Sequence, residues 1–241
     1  DESSRLKKNR HSQIEFLISM KYLQEVIPEN SRILDCCAGT GIYAFALAKQ
    51  HRVVAGDLSE KHIAQMKELQ KDAPQLEEIH WLDARHMGIF EDESFDVVLC
   101  MGALYHLFSY EDRMNAIREC VRLCKKGGIL VFAYLNKWGN FYNGMINNLK
   151  PMDLLYREFD SGNHEDIFFR TTAEEVNAMC QALNLICLRN IGVDHLAFLS
   201  SERIDAMSDE EYAHLLDYQL KATQEPNIAG ASLHGLWIGR K

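Results

Sequence analysis

The chain has 241 residues, enough for one sizeable hydrophobic core, and its length alone allows one or two domains. Its hydrophobic content of 47% and charged content of 25% are ordinary for a globular protein. The net charge of −9 argues against nucleic acid as the main partner, because an acidic surface repels phosphate backbones. No apolar run approaches the ~20 residues that a membrane-spanning helix needs, so no membrane partner is expected.

The cysteines are odd in number and lie mostly inside apolar runs, at Cys36, Cys37, Cys100, Cys120, Cys124, Cys180 and Cys187. This pattern is typical of reduced, buried thiols and not of a disulfide framework. Because no Cys-x-x-Cys pair is present, no metal site is expected. The first residues also lack the basic-then-apolar layout of a secretory signal. We therefore expect a cytoplasmic protein.

Residues 1–30 contain one amphipathic helical stretch, "SQIEFLISMKYLQEV". Ser12 and Glu15 have the spacing of a capping box, and Pro28 follows the helical pattern. The sequence therefore predicts an N-terminal helix that begins near Ser12.

Residues 31–136 alternate between β-rich runs and helical tracts. The runs lie at 32–36, 51–57, 78–83, 95–101 and 128–135. The helical tracts lie at 41–50, 59–73 and 110–126, and Gly127-Gly128 is expected to end the last of them. "FDVVLC" and "GILVFAY" are continuously apolar, as in strands that are covered on both faces. The alternation predicts a parallel sheet with helices on both sides.

The rest of the chain breaks this rhythm with two inserts. The first insert, residues 137–170, is rich in aromatic residues, Asn and Gly, and is followed by a predicted helix at 171–183 and a predicted strand at 185–193. The second insert is residues 194–230, and residues 231–241 are predicted to form a last strand. We find no linker, so residues 1–241 are expected to be one domain. Both inserts follow strand ends, where open α/β sheets bind ligands. They either cap a ligand there or simply pack on the rim.

A glycine turn follows the first predicted strand, in "ILDCCAGTG". Gly39 and Gly41 allow positive φ angles and let a ligand come close to the backbone. Together with Ala44 they also match the loose dinucleotide fingerprint G-x-G-x-x-A, so the turn alone does not choose between ligands.

Two further acids follow the next strands. Asp57 ends the second run and is placed to accept hydrogen bonds from ribose hydroxyls. Asp83 ends the third run, where it can accept a hydrogen bond from an adenine amino group. Either acid alone could be a helix cap or a loop carboxylate. Three acids after three consecutive strands, counting Asp35, are a stronger sign of a nucleoside-containing ligand.

These segments resemble the class I S-adenosylmethionine-dependent methyltransferases, in particular the group around the ubiquinone and menaquinone biosynthesis methyltransferases. The matching segments are "ILDCCAGTG", "VAGDLS", "WLDA", "FDVVLCMGALYHL" and "LCKKGGILVFAY", within residues 32–134. The resemblance implies an α/β fold with a doubly wound, Rossmann-like sheet. We expect seven mostly parallel strands, of which the last is antiparallel, together with helical cap inserts.

The same resemblance implies S-adenosylmethionine as cofactor and S-adenosylhomocysteine as product. The residues expected to bind the cofactor are Asp35, Ala38, Gly39, Gly41, Asp57, Leu58, Asp83, Ala84 and Met101. The chain departs from the family pattern at Cys37, where a glycine is usual. A Cβ there restricts the backbone, so we expect adjusted packing with binding retained.

Methyl transfer from an activated sulfonium depends mainly on positioning, and a base is needed only if the acceptor must lose a proton. His106 and Tyr105, after the fourth strand, are the candidate catalytic or acceptor-orienting residues. His195 and His234 are expected to make only local hydrogen bonds. Five aromatic residues of the first insert either line an acceptor pocket or pack the cap: Trp138, Phe141, Tyr142, Phe168 and Phe169.

The acceptor is expected to be a small molecule. After the fourth strand the chain has neither the Asn/Asp-Pro-Pro-Tyr/Phe motif nor the Pro-Cys motif of nucleobase methyltransferases. The sequence leaves open whether O, N, S or C is methylated, and whether the protein is a monomer or a homodimer. Two alternative functions are a nicotinamide-dependent oxidoreductase and a non-catalytic module that binds S-adenosylmethionine.

Overall fold

The structure is a computed structural model that describes residues 8–165, 167–223, 225 and 228–241. Residues 1–7 of the predicted N-terminal segment, and four residues of the two inserts, therefore lie outside the described residues. The first helix, α1, spans Arg10–Val26. Its cap is Asn9, whose side chain accepts a hydrogen bond from the N–H of Ser12, so the predicted cap at Ser12 is wrong.

The sheet strands are β1 Arg32–Asp35, β2 Arg52–Asp57, β3 Glu78–Trp81, β4 Phe95–Cys100, β5 Cys124–Asn136, β6 Asn163–His164, β7 Phe168–Thr171, β8 Ile186–Gly192 and β9 His234–Arg240. Seven of them form the main sheet in the order β3-β2-β1-β4-β5-β9-β8. Of these seven, β9 runs in the opposite direction to the other six and is antiparallel to both β5 and β8. The predicted fold class is confirmed. The short β6–β7 hairpin adds to the end of β5 through β7.

The remaining helices are α2 Ile42–Leu47, α3 Glu60–Leu69, α4 Tyr110–Leu123, α5 Lys137–Ile146, α6 Met152–Ser161, α7 Ala173–Gln181, α8 Ser201–Asp205 and α9 Asp209–Ala222. The helix that was expected to end at Gly127-Gly128 ends earlier, since α4 stops at Leu123. Cys124 already pairs with Phe95 of β4, and the N–H of Gly127 donates to the carbonyl of Lys241. Residues 124–128 therefore belong to β5, in an irregular stretch where Gly127 has a positive φ of +75°.

The core lies on both faces of the sheet because neighbouring strand residues point to opposite sides. Ile33 of β1 packs in the same cluster as Ile14 of α1. Leu34, the next residue, packs in the second cluster with Ile117 of α4. All four side chains are fully buried. In the continuously apolar β4, Val97 and Val98 divide between the same two clusters, so this strand has the two-sided cover that its sequence predicts.

Both inserts lie beyond strand ends, as the strand order predicts. The first insert contains α5, α6 and the β6–β7 hairpin. The second contains α8 and α9, and α9 packs on α1, where the hydroxyl of Tyr212 donates to the carbonyl of Arg10 at 2.7 Å. Across the described residues, every helix is either too short or too polar to span a membrane.

Candidate functional site

A cavity of about 1060 Å³ opens at the carboxyl ends of the parallel strands. In the order of the sheet, its edge carries Asp83 after β3, Asp57 of β2, Asp35 of β1, Met101 after β4, Leu135 of β5 and His234 of β9. Eight predicted cofactor residues line it: Asp35, Ala38, Gly39, Asp57, Leu58, Asp83, Ala84 and Met101. The structure thus brings residues from four strand ends into one site.

The two glycines of the turn serve different purposes. Gly39 and Gly41 both have positive φ, at +56° and +85°. No described atom lies within 4 Å of the place where a Cβ on Gly39 would be, and Gly39 lines the cavity. A Cβ on Gly41 would instead lie 2.8 Å from the ring of Phe45, and Gly41 is not among the residues found to line the cavity. Gly39 therefore combines a positive φ with open space on the cavity side, whereas Gly41 is required by backbone conformation and packing.

Asp57 is held by the backbone on both sides. Its Oδ2 accepts a hydrogen bond from the N–H of Gly39, and its Oδ1 accepts one from the N–H of Ser59, each at 2.8 Å. Nδ1 of His62 lies 3.1 Å from the same Oδ1. His62 also lines the cavity and was missed from the sequence. Ser59 caps α3, and the first turn of that helix brings His62 back to the end of β2.

Asp83 forms a two-pronged ion pair with Arg85. Nη2 of Arg85 lies 2.7 Å from Oδ2, and Nε lies 3.0 Å from Oδ1. These hydrogen bonds lower the pKa of Asp83 below its ordinary value, which keeps the carboxylate ionised and able to accept further hydrogen bonds. Arg85 lines the cavity as well and was not predicted, although it follows the acid by only two residues.

Asp35 is the most buried acid of the cavity, with only 2% of its surface exposed. Burial, with smaller contributions from Asp57 and Cys100, raises its pKa to about 8. Within the described part of the chain its Oδ1 has no hydrogen-bond partner. A cationic ligand group would supply that partner and stabilise the ionised form, whereas an anionic group would not stabilise that form.

Cys37, which replaces the usual glycine, leaves the cavity open. Its side chain is half-buried, and its Sγ accepts a hydrogen bond from the N–H of Gly102 at 3.0 Å. Both residues line the cavity. The thiol thus ties the turn to the residues that follow β4, which is the adjusted packing that the sequence predicts.

Three other thiols are closer together than their positions in the sequence suggest. The Sγ atoms of Cys36, Cys100 and Cys120 lie within 4.8 Å of one another and are fully buried. They come from the ends of β1 and β4 and from the middle of α4, so their spacing along the chain does not reveal the cluster. All seven cysteines are free, and Cys187 is exposed.

An aromatic wall stands beside Met101. The ring centroids of Tyr105 and His106 lie 4.9 Å apart, and that of Phe168 lies 5.3 Å from His106. All three residues line the cavity, including the two candidate catalytic residues Tyr105 and His106. Tyr105 donates to the carbonyl of Met101 at 3.1 Å, and His106 Nδ1 lies 3.3 Å from the carbonyl oxygen of Ile167.

Most of the aromatic residues singled out in the first insert (residues 137–170, called the cap) pack against other parts of that insert. Trp138 and Phe141 both contact the ring of Phe159, with centroids 4.4 and 5.7 Å apart. Tyr142 contacts Phe141, and the ring of Phe169 lies under the guanidinium of Arg113. Of the five aromatic residues singled out in the sequence, Phe168 is the one found lining the cavity.

Polar residues of the cap complete the wall, and the sequence did not single them out: Asn140, Asn143, Asn148, His164 and Arg170. Arg170 and His164 both bind Glu158, a buried acid of α6, at 3.1 and 2.9 Å. This end of the cavity is therefore polar on the side of the first insert and aromatic beside Met101.

The two histidines expected to make only local hydrogen bonds differ in position. His195 is buried, and its Nδ1 lies 3.3 Å from Oγ of Ser232. His234 has a local partner too, since its Nδ1 lies 2.7 Å from Oδ2 of Asp194. Unlike His195, however, His234 is among the residues found lining the cavity.

Comparison with known proteins agrees with this geometry. A family model described as "Methyltransferase domain" matches residues 34–132. A ubiquinone biosynthesis O-methyltransferase of Hydrogenovibrio crunogenus is 28% identical over 211 residues, which cover 87% of this chain and 81% of that protein. A protein of the same name from Paracidovorax citrulli is 32% identical over 173 residues, covering 69% and 68% of the two chains.

Solved structures share the fold at low identity. An S-adenosylmethionine-dependent methyltransferase from Methanosarcina mazei has a TM-score of 0.64 at 16% identity and covers 91% of this chain and 96% of its own. The [4+2]-cyclase SpnF has a TM-score of 0.60 at 17% identity, with 94% and 80% covered. The sequence matches and the motif residues around the cavity lead to one assignment: the chain belongs to the S-adenosylmethionine-dependent methyltransferases.

Proposed function

We propose that the cavity binds S-adenosylmethionine along the strand ends and that the methyl group passes to a small-molecule acceptor under the cap. The observation that carries this proposal is the buried, unpartnered Oδ1 of Asp35, beside the open space at Gly39 in the described part of the chain. The methionine part of the cofactor carries an ammonium group, and its sulfur is a sulfonium. Both positive charges suit a site in which an uncompensated acid faces the ligand.

The other cofactor contacts follow from the order of the strands. We assign the ammonium group to Asp35 and the methionine backbone to the turn at Ala38 and Gly39. Asp57 and Leu58 are assigned to the ribose. The adenine is assigned to Asp83 and Ala84, and Met101 is assigned to the side of the cofactor pocket. Gly41 supports this set indirectly, because it shapes the turn that carries Gly39.

When bound, the cofactor supplies a methyl carbon on a positively charged sulfur. A lone pair of the acceptor can attack that carbon and displace the sulfur. The protein's part is to hold the acceptor in line with that carbon and to keep water out, because orientation supplies much of the acceleration in reactions of this kind. Tyr105, His106 and Phe168 stand beside Met101 and are assigned to contact the acceptor. The cap closes over the same region through Asn140 and Asn143.

The size and lining of the cavity support a small acceptor with polar groups. A volume of about 1060 Å³ is at the upper end of the ~300–1000 Å³ that one drug-sized ligand occupies, which leaves room for a second small molecule. Amide groups at Asn140, Asn143 and Asn148 offer hydrogen bonds to such a molecule. The two relatives described above are named as O-methyltransferases, so we propose a hydroxyl oxygen as the methylated atom.

The nicotinamide alternative is not supported. A dinucleotide would bring its diphosphate to the glycine turn, where Asp35 and Asp57 both face the ligand. Neither acid offers a positive charge to the diphosphate, and a carboxylate charge at this turn would oppose its binding. A non-catalytic module would keep the same cofactor contacts, so only turnover distinguishes it from an enzyme.

Two measurements test the proposal. Calorimetry should show binding of S-adenosylhomocysteine and none of NADH; the reverse result would remove the proposed ligand. Purified protein should then transfer labelled methyl from S-adenosylmethionine to at least one member of a panel of catechols, other phenols and small amines. Binding without transfer to any of them would favour the non-catalytic module.

A further inference from the structure

We propose that His234 accepts a proton from the acceptor during methyl transfer and that Asp194 is its positioning residue. This inference rests on the proposed function and deepens it, because it requires the attacking atom to carry a proton, as a hydroxyl oxygen does. Neither residue belongs to the motifs that identify the cofactor site. His234 was expected from the sequence to make only a local hydrogen bond.

Asp194 fixes His234 through three contacts. Its Oδ1 accepts hydrogen bonds from the N–H groups of Leu233 and His234, at 2.9 and 3.2 Å. Its Oδ2 lies 2.7 Å from Nδ1 of the ring. A carboxylate can only accept, so Nδ1 must carry the proton and donate it. The second ring nitrogen, Nε2, is then the basic one.

A second acid strengthens the case for a proton acceptor. Oε2 of Glu15, from α1, lies 3.6 Å from the same Nδ1. The side chains of Glu15 and Asp194 both lie within 4.0 Å of the His234 ring. Both are acids, and both stabilise the positive charge that the imidazole acquires when it takes up a proton.

The position of His234 in the sheet places it on the acceptor side. His234 begins β9 and pairs with Leu135 of β5, and both residues line the cavity. From β2, which carries the proposed ribose acid, to β9 there are four strand steps, or about 19 Å at the usual strand spacing. His234 is therefore at the opposite end of the strand edge from Asp57 and Asp83, past Met101 and next to the cap.

The proposed step conserves atoms and electrons. A lone pair of the acceptor oxygen forms the new O–C bond, and the electron pair of the broken C–S bond stays on sulfur, which becomes neutral. The acceptor oxygen loses its proton to Nε2 of His234. The imidazole becomes an imidazolium, paired with Asp194 and Glu15, and later releases the proton to solvent.

The first test does not depend on knowing the acceptor. Nitrogen NMR of the histidine rings, with S-adenosylhomocysteine bound, should show His234 as the Nδ1-protonated tautomer. Asp194→Asn should shift the tautomer equilibrium of His234, while the exposed His214 on α9 stays unchanged. A His234 ring protonated on Nε2 alone, or one that does not respond to Asp194→Asn, would overturn the proposal.

The second test uses the methyl-transfer assay with catechol as the hydroxyl probe. His234→Gln should lower kcat by about 10² to 10⁴ and remove the acid limb of the pH profile, with affinity for S-adenosylhomocysteine unchanged. His214→Gln is the matched control, and thermal melting checks that each variant is folded. Full activity of folded His234→Gln would overturn the proposal.

The two proposals fail in different ways. If wild type binds S-adenosylhomocysteine but methylates neither catechol nor any other member of the panel, the acceptor class of the proposed function fails. The tautomer measurement still decides the proton-accepting form of His234 in that case. A second outcome is that wild type is active and that His234→Gln weakens cofactor binding but leaves turnover unchanged. In that case the proposed function stands, and His234 is not the proton acceptor.

Discussion

The carboxylate of Asp57 accepts a hydrogen bond from the backbone N–H of Gly39 at 2.8 Å, which joins the end of β2 to the turn after β1. A second backbone donor, Ser59, holds the other carboxylate oxygen at the same distance. The acid proposed to bind the ribose and the turn proposed to pass the methionine part are therefore one ordered unit. Because these groups are already ordered before the ligand binds, less conformational entropy is lost on binding.

Asp57→Ala should weaken binding of S-adenosylhomocysteine by about 1 to 3 kcal/mol, because hydrogen bonds to a charged acceptor are lost. Isothermal calorimetry measures this directly. Asp72→Ala is the matched control, since it removes the same charge from an exposed position away from the cavity. Unchanged affinity in Asp57→Ala would show that the ribose binds elsewhere.

The two glycines of the turn should respond differently to alanine. Gly39→Ala should cost about 1 kcal/mol of stability, from the positive φ alone, and should weaken binding of S-adenosylhomocysteine because the new methyl group enters the cavity. Gly41→Ala should cost about 1 to 3 kcal/mol more, because its Cβ would lie 2.8 Å from the ring of Phe45. Urea unfolding and calorimetry measure the two effects.

Gly88→Ala is the control for this pair, since Gly88 has an ordinary φ and open space around it. It should change neither stability nor binding by more than a few tenths of a kcal/mol. If Gly39→Ala were more destabilising than Gly41→Ala, the contacts around the turn would have been assigned to the wrong glycine.

Asp35 should make the ligand-free protein less stable as the pH rises. Burial raises its pKa from 3.8 to about 8, so between these values the folded state holds a proton that the unfolded state has lost. Stability therefore falls from about pH 4 to pH 8. Asp35→Asn resembles the protonated acid and removes this dependence. The thermal midpoint of the variant should exceed that of wild type clearly at pH 8 and little at pH 4.

The same acid should release a proton when a cationic ligand binds. Calorimetry of S-adenosylhomocysteine at pH 7, repeated in two buffers with different ionisation enthalpies, should show net proton release by wild type. Asp35→Asn should show less release together with weaker binding. Equal release by the two proteins would mean that Asp35 does not meet the ammonium group.

The three acids that line the cavity were predictable because each of them is a local feature of the chain. Asp35, Asp57 and Asp83 each directly follow an apolar run, and a parallel sheet must bring such ends to one edge. The predicted helix cap was wrong by three residues, since the cap is Asn9 and not Ser12. Several polar residues near a helix start can act as its cap, and the sequence does not choose between them.

The surroundings of His234 were not predictable in this way. Glu15, Asp194 and His234 come from three segments, and they meet because β9 inserts between β5 and β8. No local pattern around "SLHGLWIG" specifies those neighbours. Composition did show that the first insert is aromatic, but which ring faces the cavity depends on how α5 and α6 pack, and Phe168 is the one found there.

His106 should differ from His234 in its kinetic role. Its Nδ1 lies 3.3 Å from the carbonyl oxygen of Ile167, so it connects the turn after β4 to the cap hairpin that carries Phe168. His106→Ala should loosen this connection and raise the KM for the catechol probe several-fold, while turnover changes only a few-fold; His214→Ala should change neither. Steady-state kinetics separate the two effects. If turnover instead fell by about two orders of magnitude or more at unchanged KM, His106 would be identified as the proton acceptor, because a base acts on turnover and a cap contact on binding.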